Sequence, residues 1–411
     1  MESIVRCCAG LDVHKDSVEA CVRCLNKETG KLEQETRHFF TMTQDLMEMA
    51  RWFESREVTQ VAMESTGVYW KPIFNIVESR FQVLLVNAKD IKHVPGRKTD
   101  VKDCQWIAQL LQHGLLRASF IPPRQQRELR DLTRHRAQVL GEHSRTINRI
   151  QKIFEDANLK LGSVASDVVG VSGRLILKAI IGGESNPEVL ANLAQRRLRE
   201  KIPELKKALL GNITEHHRWL LGLLYEQLTT TEAFLSKLDE KIEQLTRPQS
   251  PVLEKLDRIP GINRRVAEVV LAEIGPDMSP FPTDAHLASW AGMCPGSNES
   301  AGKKKSGKTT KGSRWLRQAL VQAAWAASHK KDSYFQAHAQ NVMRRRGRKR
   351  GLVAVGHSIL IVIYHLLKEE TEYQDLGANF LEQIRSEHLV RFHVKRLEQL
   401  GFKVEVQAMA A

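Results

Sequence analysis

The sequence predicts an α/β domain on a mixed sheet followed by two mostly helical regions, and three observations carry that prediction. Residues 4 to about 120 alternate short β-like runs with amphipathic helices. After Pro122 and Pro123 the β signal stops and long helical patterns take over. From Leu221 to Leu245 an apolar seam steps by three and four residues, as a heptad does.

The elements follow in order. IVRCCAGLDVH and SVEACVRCL read as two strands around a turn, RHFFTM as a third and LMEMARWFES as a helix. VAMEST is a fourth strand, GVYWKPIFNIVES a helix, and VLLVNA a fifth strand before the helix of VKDCQWIAQLLQHG. Three consecutive strands and then strand and helix in alternation give a mixed sheet, an order compatible with an RNase H-like core. This first domain is expected over 1–123.

A helical spacer is expected over 124–250. Its seam, Leu221, Leu224, Leu228, Thr231, Leu235, Leu238, Ile242 and Leu245, describes one strand of a coiled coil roughly 37 Å long. The partner is either the helical stretch RELRDLTRHRAQVLGEHSRTINRIQKIF of the same chain or the same helix of another subunit. Residues 160–215 are broken by glycine and carry little signal. A third, mostly α-helical region is expected over 251–370, and a C-terminal extension over 371–411 reads as a helix and a short strand.

Composition bounds the function. Of 411 residues, 42% are apolar, enough for a core in each domain. Lys and Arg number 62 against 48 Asp and Glu, a formal charge of +14 that favours a polyanionic partner such as nucleic acid. Six cysteines are too sparse for a disulfide scaffold, and MESIVRCCAG has no signal-peptide pattern, so a cytoplasmic protein is expected. GLVAVGHSILIVIYHLL, 351–367, is apolar and follows a basic run, but it is short for a span and carries His357 and His365, so it reads as a buried helix with no membrane role. Cys21 and Cys24 form C-x-x-C, yet on a strand they face opposite ways, which favours buried thiols over zinc. Tyr69 and Trp70 read as core rather than as a stacking platform.

The sharpest constellation is acidic. Asp12 interrupts an apolar strand, where an unpaired carboxylate is costly to bury. Glu64 ends VAMEST, and Asp100 and Asp103 stand i, i+3 on one helix, about 5–6 Å apart. Hard oxygen donors at strand ends and on a nearby helix suit Mg²⁺ or Mn²⁺, and a pair of such ions can activate the attacking oxygen and stabilise the leaving one in phosphodiester cleavage.

With GLDVHKDS (10–17), AMESTGVYW (62–70), VNAKDIKHVPGRKTDVKDCQWIAQLL (86–111) and LDRIPGINRRVAEVVLAEIG through LASWAGMCPGSNES to SRWLRQALVQAA, the chain resembles the DEDD transposases of the insertion-sequence one-ten type, the bridge-RNA-guided recombinases. The resemblance covers the first domain and residues 251–330. It implies a RuvC-like metal site at Asp12, Glu64, Asp100 and Asp103, and a serine that attacks DNA to form a phosphoserine link. The matching position is Ser300, five residues after Pro295. Relatives often have Gly directly after that serine, whereas here Ala301 precedes Gly302, so Ser297 and Ser306 remain competitors.

The surrounding residues are basic. Lys303, Lys304, Lys305, Lys308, Lys311 and Arg314 occur with no acid between Ala301 and Arg314, and this loop is expected along a nucleic-acid backbone. IPGIN, 259–263, reads either as a helix-hairpin-helix turn offering backbone N–H groups around Gly261 to a phosphate or as a simple loop between core helices. Arg344, Arg345 and Arg346 begin RRRGRKR, which reads as a further phosphate contact. GKKKSGKT, 302–309, fits the Walker A pattern, but polar turn residues precede it and Lys311-Gly312 delays the helix after it, so ATP binding is not expected.

The expected function is a transposase and site-specific DNA recombinase of an insertion sequence. The resemblance implies donor and target DNA and a structured guide RNA as partners, and further copies of the chain are expected because acids and serine lie far apart in sequence. The alternative is a metal-dependent hydrolytic nuclease of the Holliday-junction type, using water and leaving no covalent adduct.

Overall fold

The computed structural model describes residues 4–65, 67–87, 91, 103–295, 298–300, 303–306 and 308–404. Chain contacts divide it into two units, residues 1–121 and 122–411.

The first unit is built on strands β1 (Cys7–Val13), β2 (Ser17–Leu25), β3 (Leu32–Phe40), β4 (Gln60–Glu64) and β5 (Gln82–Val86), in the order β3-β2-β1-β4-β5. β1 pairs antiparallel with β2, and β2 with β3; β4 is parallel to both β1 and β5. This is the mixed sheet the sequence predicts. Helices α1 (Thr43–Ser55) and α2 (Trp70–Val77) close one face over Leu11, Val13, Val61 and Met63. Helix α3 (Asp103–Gln112) closes the other over Cys8, Ala62 and Val86.

The alternation of β1 between the two cores follows from the period of two in a strand. Gly10 points at α3, and a Cβ there would stand 2.3 Å from the Ala108 amide nitrogen and 2.4 Å from the Cys104 carbonyl oxygen. Only glycine lets this helix lie so near the strand. Cys21 faces α3, whereas Cys24 faces the other core, as a strand requires. Cys24 and Cys7 stand opposite each other across β1 and β2 with Cα atoms 4.1 Å apart and their sulfurs paired, so these two are not the unpaired thiols the sequence suggests. Burial pushes the Cys8 and Cys104 thiols up to about 12, so both stay protonated at neutral pH, as structural thiols do.

The second unit starts with α4 (Arg124–Asp156). Short helices α5 (Leu161–Val164), α6 (Val171–Ile181), α7 (Pro187–Asn192) and α8 (Ile202–Ala208) follow, then α9 (Glu215–Thr246). α4 and α9 run antiparallel: Arg136 meets Asp239, His143 meets Glu232 and Asp156 meets His217. The seam of α9 is thus partnered within the chain. Leu221, Leu224, Leu228, Thr231 and Ile242 are buried, but Leu245 is exposed and Thr246 is buried in its place. Residues 160–215, which carried little sequence signal, form a core in which Leu161, Ile176, Leu177, Ile180, Leu190 and Leu205 surround Ile150, Phe154 and Leu228.

Helices α10 (Ser250–Asp257), α11 (Arg264–Ile274), α12 (Asp284–Trp290), α13 (Arg314–Ala327), α14 (Tyr334–Arg346) and α15 (Arg348–Lys368) complete the body. α15 is long and apolar enough to cross a membrane by composition. Its buried Val355, Ile359, Leu360 and Ile363 nevertheless belong to the core, and the Tyr364 hydroxyl donates to the Phe281 and Pro282 carbonyls at 3.0 Å. Helix α16 (Phe380–Gln399) is the last helix of the described chain; residues 402–404 are not in a strand, and the rest of the short strand expected near the end falls on 405–411, outside the described residues.

Candidate functional site

Asp12 sits between buried Leu11 and Val13, with its own side chain 26% exposed on the α3 face. The register of the parallel pair ends at Leu11 opposite Met63, and both of these enter the core under α1 and α2. One residue further, Asp12 and Glu64 therefore end neighbouring strands on the opposite, α3 face. Gly10 admits α3 to within contact of β1, and the first residue of that helix, Asp103, acts electrostatically on Asp12.

The electrostatics of Asp12 record this crowding. Burial raises its carboxyl above the ordinary Asp range; His14 draws it down, and Asp103 and Glu19 push it up. His14 Nε2 lies 3.4 Å from Asp12 Oδ2. Glu19 stands opposite Asp12 in the β1–β2 register, and its carboxylate lies 2.7 Å from His38 Nδ1. Sequence reasoning missed His14, Glu19 and His38. The signal for His14 was its i, i+2 spacing from Asp12; the other two arrive only through strand pairing.

The fourth acid, Asp100, lies outside the described residues. Among the described residues no three His, Cys, Asp or Glu side chains form a metal-binding group. Asp12, Glu64 and Asp103 are still a fitting donor set in kind, hard carboxylate oxygens, and burial, with Asp103 and Glu19 adding to it against the pull of His14, holds the Asp12 carboxyl above its ordinary range.

The second candidate site differs from the expected loop. Strands β6 (Asn298–Ser300) and β7 (Lys303–Ser306) pair antiparallel, with Ser300 opposite Lys303 and Asn298 opposite Ser306. Lys303, Lys304 and Lys305 therefore lie on a strand, not a loop. Ser297 lies outside the described residues. The strand at Lys303–Ser306 and a helix that opens only at Arg314 do not fit a phosphate-binding P-loop, in agreement with the sequence. Lys308, Lys311 and Arg314 are exposed, and the Arg314 guanidinium lies 4.4 Å from the Trp315 ring centroid.

Gly261 has φ +86, and a Cβ there would stand 2.1 Å from the Ala323 carbonyl oxygen of α13. The close approach of that helix accounts for this glycine without a phosphate. Arg344, Arg345 and Arg346 end α14 exposed, and Gly347, φ +81, turns the chain into the exposed Arg348, Lys349 and Arg350 of α15. Three cations in the first turn of a helix oppose its dipole, so this turn is electrostatically prepared for an anion.

Comparison with known proteins adds to this geometry. A transposase family of the DEDD IS110 type matches residues 9–158, and the transposase IS116/IS110/IS902 family matches residues 253–340. An insertion element IS110 protein of 43.6 kDa from Streptomyces coelicolor is 27% identical over 308 residues, 68% of this chain and 73% of the relative. The first match contains Asp12, Glu64 and Asp103, and the second contains the β6–β7 hairpin. Matched in chain order over more than half its length, the protein belongs to the IS110 family of insertion-element transposases.

Proposed function

We propose that this transposase is a metal-assisted serine recombinase. The first unit is read as an RNase H-like, RuvC-like catalytic domain in which Asp12, Glu64, Asp100 and Asp103 hold Mg²⁺ or Mn²⁺. What supports this reading is the place of Asp12 and Glu64 near the ends of the paired inner strands β1 and β4, with the charge of Asp103 acting on Asp12. The bound cation would supply charge stabilisation at the reacting phosphate. Ser300 is read as the nucleophile: its hydroxyl oxygen bonds to phosphorus as a sugar oxygen leaves, so the phosphodiester energy is kept for rejoining.

Around this chemistry the domains are read as 1–123 catalytic, 124–250 coiled-coil spacer, 251–370 serine-bearing with a helix-hairpin-helix at 259–263, and 371–411 an extension. Lys303, Lys304, Lys305, Lys308, Lys311, Arg314, Arg344, Arg345 and Arg346 are read as backbone contacts to donor and target DNA. The positive charge also suits a structured guide RNA, and acids and serine supplied by different subunits would require a homo-oligomer.

The test is incubation of the protein with Mg²⁺, DNA bearing the ends of its own element and any co-purifying RNA, followed by denaturing electrophoresis. A protein–DNA adduct lost in both Asp12→Ala and Ser300→Ala is expected. Cleavage without an adduct, surviving Ser300→Ala, would make the protein a hydrolytic nuclease instead.

A further inference from the structure

The hairpin that carries Ser300 leaves the helical body through a neck of two chain segments, residues 292–295 and 309–313. At the body end the two backbones touch. A Cβ on Gly312 would stand 2.3 Å from the Gly292 nitrogen, and one on Gly292, φ +67, would stand 2.7 Å from the Gly312 nitrogen. At the hairpin end Pro295 and Thr309 pair as an isolated antiparallel bridge.

Arg317, in the first turn of α13, reaches into this neck. Its Nη2 donates to the Gly292 carbonyl in one segment and to Thr309 Oγ1 in the other, with the Thr310 carbonyl at 3.4 Å. One guanidinium thereby joins both segments to α13. The helix is itself anchored: Ser313 accepts from the Leu316 amide at 3.2 Å and donates to Glu273 Oε2 at 3.0 Å. The Glu273 carboxylate, fully buried, is held by Arg134 through two bonds of 2.7 and 2.9 Å.

We propose that Arg317 is a positioning residue for the Ser300 reaction, fixing the direction in which the hairpin presents its serine. This rests on the reading of Ser300 as nucleophile. Strands of three and four residues do not hold an orientation by themselves, so the direction of the hairpin is set where its two ends meet the body, at the close-packed Gly292 and Gly312 and at Arg317. Both bonds leave the one nitrogen Nη2, and the rigid planar guanidinium fixes where that nitrogen and its hydrogens point, which the freely rotating ammonium on a flexible lysine stem does not. Misplacing a nucleophile by about 1 Å costs on the order of 100-fold in rate.

The test compares full-length wild type with Arg317→Lys, Arg317→Ala, Thr309→Val and Ser300→Ala. Native trypsin digestion, read by mass spectrometry, gives the rate of cutting after Lys303, Lys304, Lys305 and Lys308. Single-turnover adduct formation at saturating element-end DNA gives the chemical rate, with DNA affinity and melting temperature as controls. Arg317→Ala is expected to speed hairpin cutting about 10-fold and slow adduct formation about 100-fold, with affinity and melting nearly unchanged. Arg317→Lys falls between, and added guanidinium ion restores part of the rate to Arg317→Ala but none to Ser300→Ala.

Equal cutting rates in wild type and both Arg317 variants would overturn the proposal. If Arg317→Ala fails to fold, Arg317→Lys and Thr309→Val decide the matter through the same cutting rates. An adduct that survives Ser300→Ala would remove the nucleophile reading and the positioning role with it, whatever the hairpin does, so the two failures are told apart.

Discussion

Asp12 is placed where folding and function oppose each other. A carboxylate flanked by core residues, facing Asp103 and Glu19, is destabilised in its charged form, and its raised carboxyl records this. The sign follows: with the folded value above the unfolded one, the contribution to stability is full at low pH and is lost as pH rises through the folded value. At neutral pH the acid is retained at a cost to folding. Asp12→Asn is therefore expected to abolish adduct formation while leaving the melting temperature equal to wild type or a few degrees higher. Mg²⁺ should stabilise wild type by about 1.4 kcal/mol at tenfold excess over its dissociation constant, raising its melting temperature, and have less effect on the variant. A variant that melts well below wild type in metal-free buffer would show Asp12 to be structural.

Burial, not the spacing of leucines, decides what each helix contributes. The heptad of α9 treats Leu228 and Leu245 alike, yet Leu228 is 0% exposed and Leu245 is 38% exposed. Leu228→Ala is expected to cost about 2–5 kcal/mol in chemical denaturation, and Leu245→Ala no more than about 0.5 kcal/mol. Equal losses would mean that the whole seam is packed in solution, as it would be against a second subunit. The same contrast explains what the sequence made legible. Strands β1, β2 and β4 announce themselves because they run largely buried on both faces, whereas β3 is mostly exposed and shows only through the apolar residues at its end; Asp12 and Glu64 stand out as acids in apolar runs. The β6–β7 hairpin does not, because its lysines and serines have no apolar period. Residues 160–215 hide for another reason: helices of four to eleven residues are too short to establish a period. Glu19 and His38 reach the acidic site only through antiparallel pairing, which no linear spacing encodes.

Across the whole molecule the +14 charge is partly spent inside the fold, since Arg134, Arg136 and Arg174 are paired with Glu273, Asp239 and Glu232. The cations at the turn between α14 and α15 are different. All six are exposed, and Arg348, Lys349 and Arg350 sit at the helix end whose dipole disfavours them. Such an arrangement raises the local potential and lowers the cost of bringing a phosphate backbone close. Each neutralised phosphate on duplex DNA contributes a slope of about −0.9 to the dependence of log affinity on log salt. Replacing Arg344, Arg345 and Arg346 together by Ala is then expected to flatten that slope by about 2 to 3 and to weaken element-end and unrelated DNA alike, since phosphate contacts carry no sequence. Filter binding across a salt series measures this. An unchanged slope would assign the turn to solvent, whereas a loss confined to RNA, with duplex binding intact, would make it the surface that holds a guide.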